Sequence, residues 1–203
     1  MKLTVMERDI AITLVEALVE YGLNEHLASW GDHATEKWFF NKELGALGFG
    51  ASAGLSKVCI WHNDLLNWVI KVGFVEEVSM DYAAREYENY CMAEEEGLSQ
   101  YFPTTVYLGT FGGRPFYLQE YAECEEARIS SEWYDRLSEE YDDCEDIWNA
   151  IECMDDDERA DLTFGDSDLT NFLCQHGIGD LHEGNFGYIN GRLVIIDFSG
   201  WHH

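Results

Sequence analysis

The sequence predicts an α+β fold in which a five-stranded antiparallel sheet carrying one main helix precedes a mostly helical half with a β-hairpin. Three observations predict it. Short apolar runs separated by turn residues fill the first half after residue 40. Apolar stripes at helical spacing dominate the acidic second half. Near the end, Asn190-Gly191 stands between two apolar runs, a strong short-range hairpin signal. The organisation read from this is an N-terminal helical extension over residues 1–40, a sheet-bearing lobe over 41–122 and a helical lobe over 123–203.

The elements follow in order. From Met6 to Gly22, apolar Ile10, Leu14, Leu18 and Tyr21 make a helical stripe ended by Gly22-Leu23-Asn24. The short runs Trp38-Phe39-Phe40, the Gly-rich stretch Leu44–Gly54, Lys57–Trp61 and Trp68–Phe74 read together as three strands ahead of the next helix. Residues Ser79–Gly97 carry Ala83, Tyr87, Tyr90 and Cys91 on helical spacing, with Gly97 placed to cap the C-terminus. Thr104–Thr110 and Pro115–Tyr121 flank Phe111-Gly112-Gly113-Arg114 and read as a hairpin. Glu125 to about Cys153 is helical in pattern, Asp166–Gln175 opens with capping residues, and Phe186–Ile189 with Leu193–Ile196 forms the final hairpin.

With 203 residues, 46% of them hydrophobic and 14% aromatic, the chain can bury a core despite its formal charge of -28. Between Glu120 and Asp161 there are 18 Asp or Glu against 3 Arg and no Lys, more than half of the excess. Such a surface repels nucleic-acid phosphates and anionic lipid heads, which argues against direct binding to either. It suits a cationic small molecule or a basic protein instead. No apolar run approaches a membrane span or a signal peptide, and the six cysteines are scattered with no CxxC pair. The expectation is a cytoplasmic protein with reduced thiols. His176, His182, His202 and His203 match no zinc-ligand spacing.

The segment richest in chemistry is Ile178-Gly179-Asp180-Leu181-His182-Glu183-Gly184-Asn185, followed by the hairpin and then Asp197-Phe198-Ser199-Gly200. Asp180 and Asn185 lie five apart on a loop. Asp197 follows Asn185 by twelve residues, at the end of an apolar strand, so a loop-hairpin-loop would bring the two ends together. Two carboxylates and an amide form an oxygen-rich set suited to Mg²⁺.

These residues resemble the protein-kinase-like superfamily, especially the branch with aminoglycoside phosphotransferases, choline kinases and small bacterial or phage kinase-like proteins. Asp180 to Asn185 resembles the D-x-x-x-x-N catalytic loop, and Asp197-Phe198-Ser199 resembles D-F-G with Ser199 in place of Gly. The resemblance implies a two-lobe fold that uses ATP and Mg²⁺. It makes Asp180 the catalytic base and Asn185 and Asp197 the metal ligands. Val69-Ile70-Lys71 resembles V-A-I-K, with Lys71 on the α and β phosphates and Glu86 as its partner. Glu88 is the rival; Glu86 is preferred because Tyr90 and Ala93 continue its stripe. Lysine is unusual in so apolar a strand, since a buried ammonium needs an anion. Gly48 and Gly50, within Gly48–Gly54, resemble a phosphate-binding glycine loop, although the spacing is not G-x-G-x-x-G. Phe116–Glu123 resembles the strand entering the kinase hinge, with Gln119 near the gatekeeper position. The backbone of Glu120, Tyr121 and Ala122 would then meet adenine.

The sequence also departs from the family. Ile178 and Gly179 stand where kinases have His and Arg, which predicts a more loosely anchored loop. Only Gly200-Trp201-His202-His203 follow Ser199, so the platform that usually receives the acceptor is expected to be missing. Three functions are therefore weighed: a minimal phosphotransferase acting on an unknown acceptor, a pseudokinase or nucleotide-binding regulatory module, and an acidic interaction protein such as a DNA-mimic inhibitor.

Overall fold

The structure is a computed structural model and describes residues 2–27, 37–39, 41–54, 56–74, 81–139, 141 and 143–199. It forms two compact units. Met1–Cys91 with Thr104–Tyr121 makes the first, and Met92–Pro103 with Ala122–His203 makes the second. The fold is α+β, with a five-stranded antiparallel sheet in the first unit and a two-stranded one in the second.

The first unit begins with helix α1 (Val5–Glu20), whose start is set by a capping box between Thr4 and Glu7. Thr4 donors hold the Glu7 carboxyl below the usual range, with desolvation opposing them and the Trp68 indole N–H adding to the lowering. A short helix α2 (Leu23–Leu27) follows. The sheet contains β1 (Phe49–Ala53), β2 (Lys57–His62), β3 (Trp68–Gly73), β4 (Thr105–Phe111) and β5 (Arg114–Glu120), in the order β1-β2-β3-β5-β4. Side chains alternate across a strand, so Val58, Ile60, Ile70, Val72 and Leu118 point one way. They join Ala11, Val15 and Leu18 of α1 in one buried cluster. The N-terminal helix is thus part of the sheet's own core. The opposite face carries Lys57, Cys59, Lys71, Tyr117 and Gln119, paired in register as Cys59 with Lys71 and Lys71 with Tyr117. Helix α3 (Tyr82–Glu95) packs there, its Tyr87 ring 5.5 Å from that of Tyr117.

Helix α3 starts where Asp81 Oδ1 accepts the N–H groups of Ala83 and Ala84. It ends as the sequence suggests: Gly97 adopts φ 76, with Leu98 N–H bonded to Ala93 C=O and Gly97 N–H to Glu94 C=O. Residues 75–80, which include the expected helix start at Ser79, lie outside the described residues. Trp38 and Phe39, expected in a strand, are helical instead, and Phe39 is buried in the α1 cluster. A run of three apolar residues is too short for its periodicity to separate strand from helix. Phe40 lies outside the described residues.

The second unit contains α4 (Glu126–Leu137), α5 (Cys144–Cys153), α6 (Asp156–Phe164), α7 (Ser167–His176), β6 (Phe186–Ile189) and β7 (Arg192–Ile195). Asp143, Asp155 and Asp166 cap the N-termini of α5, α6 and α7 with their side chains. The hairpin turn places Asn190 at φ 51 and Gly191 at φ 80, the left-handed pair that a two-residue turn between right-twisted strands requires. Buried Phe102 packs on Phe172 and Phe198, with centroids 5.8 and 4.9 Å away. Trp133 meets Phe186 edge-on and donates its N–H to Thr163 Oγ1 at 2.8 Å. No helix among the described residues is long and apolar enough to cross a membrane.

Candidate functional site

In the first unit, the strand lysine and the helix glutamate meet. Lys71 Nζ lies 2.7 Å from Glu86 Oε2, with Lys71 4% exposed and Glu86 fully buried. Antiparallel pairing of β3 between β2 and β5 fixes Lys71 on the α3 face, and helical spacing turns Glu86 inward with Ala83, Tyr90 and Ala93. Glu88, the rival partner, is exposed. A second lysine shares the carboxylate: Lys57 Nζ is 3.1 Å from Glu86 Oε1. Gln119 Nε2 lies 3.4 Å from Glu86 Oε2 and donates to Thr105 Oγ1 at 3.1 Å. Desolvating several ions costs several kcal/mol each, of order, unless close partners and added hydrogen bonds compensate. This cluster supplies both.

The glycine segment departs from expectation. Gly48 caps a 3-10 turn, Leu44–Leu47, at φ 93, and Gly50 lies inside strand β1 opposite Trp61 rather than in a loop. A Cβ on Gly50 would fall 2.2 Å from the Trp61 indole. The missing side chain makes room for an aromatic ring, a use other than the expected close approach of phosphate oxygens. The sequence count alone could not separate these uses, because both need a bare backbone.

The hinge-like segment also has commitments. Glu120 N–H donates to Thr104 C=O and Tyr121 N–H to Asn67 C=O, each at 2.8 Å. The Glu120 carboxylate accepts from Thr104 Oγ1 at 3.0 Å. Gln119 and Glu120 are buried, Tyr121 is exposed, and Ala122 belongs to the second unit.

In the second unit, Asp180 has φ 64, a left-handed conformation that is unfavourable for a residue with a Cβ. Its carbonyl accepts Asn185 Nδ2 at 2.7 Å and His182 N–H at 3.0 Å, and its N–H donates to Asp156 Oδ2 at 2.9 Å. The side chain is exposed. His182 Nδ1 accepts from Gly184 N–H and starts a 3-10 turn, Glu183–Asn185, that delivers Asn185 to Asp180. Asn185 is buried, and its carbonyl accepts Ile196 N–H at 2.9 Å. The hairpin thereby returns the chain so that Asp197 follows directly on a residue bonded to Asn185. Ser199 Oγ donates to Asp197 Oδ1 at 3.1 Å, and Phe198 is fully buried beside Phe102.

Asn185 spends its Nδ2 on the Asp180 carbonyl, so Oδ1 is the atom with which it could meet a cation. One carboxylate and one amide oxygen suit Mg²⁺, which keeps waters and takes phosphate oxygens for its remaining positions. Among the described residues no group of three or more His, Cys, Asp or Glu is arranged to hold a metal.

Lys57 and Asp156 were missed in the sequence. Lys57 had a signal, since it shares the two-residue period of Cys59 on the Lys71 face. Asp156 had none, standing in a run of acidic residues with no local mark to separate it from Asp155 or Asp157. Comparison of the chain with models of known protein families and with curated proteins returns no match.

Proposed function

We propose that this protein is an ATP- and Mg²⁺-dependent phosphotransferase of the protein-kinase-like kind. The observation that carries the reading is the buried Lys71–Glu86 pair at 2.7 Å. A strand lysine held by a helix carboxylate is pre-organised to contact the phosphates of a nucleotide. In this reading the first unit anchors ATP through Lys71, with Glu86 fixing the ammonium. In this reading the adenine edge meets the backbone around residues 120–122, where Glu120 and Tyr121 have already committed their N–H groups to Thr104 and Asn67.

Asp197 and Asn185 would hold Mg²⁺, which when bound would neutralise and orient phosphate oxygens. Asp180 orients an acceptor hydroxyl and takes its proton as the acceptor oxygen bonds to the γ-phosphorus. The bond from that phosphorus to the β–γ bridging oxygen breaks, and ADP leaves. The acidity of residues 120–161 favours a cationic acceptor, either a small molecule or a basic protein.

Calorimetry of ATP binding tests the nucleotide part. Binding is expected to need a divalent cation, and Asp197→Ala should weaken it by ~10-fold or more in Mg²⁺. Equal affinity of mutant and wild type would remove Asp197 from the metal site. A second reading is nucleotide binding without transfer, as in a pseudokinase or nucleotide-binding regulatory module. It predicts ATP binding with no loss of the γ-phosphate.

A further inference from the structure

The position of Asp180 depends on a residue far from it in sequence. The two oxygens of Asp156 accept two successive backbone N–H groups of the loop: Oδ2 takes Asp180 at 2.9 Å and Oδ1 takes Leu181 at 2.7 Å. Both are charge-assisted bonds to an ionised acceptor, stronger than neutral ones. The approach is close enough that a Cβ on Gly179 would lie 2.7 Å from Asp156 Oδ2. Three residues later on the same helix, Arg159 Nη1 reaches Leu181 C=O at 3.5 Å while Nη2 reaches Ile151 C=O at 3.3 Å. Leu181 itself is fully buried. The start of α6 thus grips the N–H of Asp180 and both polar backbone groups of Leu181.

We propose that Asp156 is the positioning residue for Asp180, with Arg159 as its auxiliary. This rests on the reading of Asp180 as the base. A non-glycine residue at φ 64 persists only where its surroundings over-determine it. Here Asp156 holds the N–H, while Asn185 and His182 hold the carbonyl. The side chain of Asp180 is left exposed and aimed outward by its backbone. The same clamp explains Gly179 and Ile178 in a loop that lacks an Arg or His anchor of its own. Gly179 admits the carboxylate, and buried Ile178 ties the entry to the core.

The test combines amide hydrogen exchange with phosphoryl-transfer kinetics on the full chain. In Asp156→Ala the Asp180 and Leu181 amides should lose protection by ~10-fold or more, while Phe172 and Leu173 amides in α7 keep theirs. In Asp156→Asn, which keeps the shape and one acceptor oxygen, one of the two amides should remain protected. The kcat of Asp156→Ala should fall ~10- to 100-fold with the KM for ATP nearly unchanged, and the loss should vanish in an Asp180→Asn background. Wild-type protection at both amides in Asp156→Ala would overturn the proposal. So would an undiminished loss of kcat in the Asp180→Asn background, since the effect would then not pass through Asp180. If wild type transfers no phosphate, the phosphotransferase reading fails, and the amide protections still decide whether Asp156 holds the loop.

Discussion

The two units place charge in opposite ways. In the first, Lys57, Lys71 and Glu86 are almost wholly buried, and their side chains hold one another on a strand face and a helix. In the second, the Asp180 side chain is exposed, and it is the backbone that is held, against its own preference, by Asp156, Asn185 and His182. A buried ion pair resists change because either partner alone would be a desolvated charge. A strained loop resists change only while its hydrogen bonds last. Under the proposed function, the first arrangement suits a group that stays fixed on phosphates, and the second suits one that meets an incoming acceptor and exchanges a proton with it.

That contrast makes the largest expected effect fall on Glu86. Glu86→Ala removes the carboxylate shared by two buried ammonium groups and should destabilise the first unit by ~3–5 kcal/mol. Urea unfolding followed by tryptophan fluorescence measures it, and a loss within the range of a surface substitution would erase the distinction between the units. Gly179→Ala probes the second unit in the same spirit. Its Cβ must displace Asp156 from its bonds, which should cost ~1–3 kcal/mol with the disturbance confined to the loop amides. Unchanged stability and unchanged amide shifts would show that the clamp is not tight.

Asp180→Gly should move stability the other way. Glycine accepts φ 64 without strain, so this variant should gain ~1 kcal/mol while losing transfer activity. A stability loss there would show that the Asp180 side chain is structural. The smallest effect concerns pH. Burial lowers the His26 pKa, and the ring stacks on Trp38 at 5.3 Å. The neutral ring is favoured in the folded unit, so its contribution is complete above the ordinary value near 6.5 and declines as pH falls below it through the lowered value. Unfolding midpoints measured from pH 7.5 down to 5.5 should decline less in His26→Gln than in wild type. Parallel curves would exclude His26 as a contributor.

What the sequence made legible were features whose physics is local. Asn190-Gly191 announces a turn through its own φ angles, and Gly97 ends a helix in the same way. Lys71 and Glu86 were legible because one strand face and one helix face, each periodic, leave few side chains that can meet. The roles of long-range partners were not. Nothing local marks Asp156 among neighbouring acids, and Gly50 looks the same whether it admits a phosphate or the ring of Trp61. Trp38 and Phe39 join a helix that packs into the α1 cluster, an outcome set by tertiary burial rather than by a three-residue pattern. The anchoring of the Asp180 loop is the clearest case. Read from Ile178 and Gly179 alone it is weak; Asp156 of α6 joins Asn185 and His182 of the loop to give three hydrogen-bonding supports on the Asp180 backbone.

The most direct test of the account is the rate at which the γ-phosphate leaves Mg²⁺-ATP, measured for wild type and Asp180→Asn together, with basic proteins, cationic small molecules and water as acceptors. Wild type should release or transfer it in a Mg²⁺-dependent manner. Asp180→Asn keeps the size and most hydrogen-bonding capacity of the side chain but cannot take the proton, so its turnover should fall by ~100-fold or more while its ATP affinity is retained. No loss of phosphate by wild type to any of these acceptors would contradict the phosphotransferase reading. Equal turnover by the two proteins would contradict the role of Asp180.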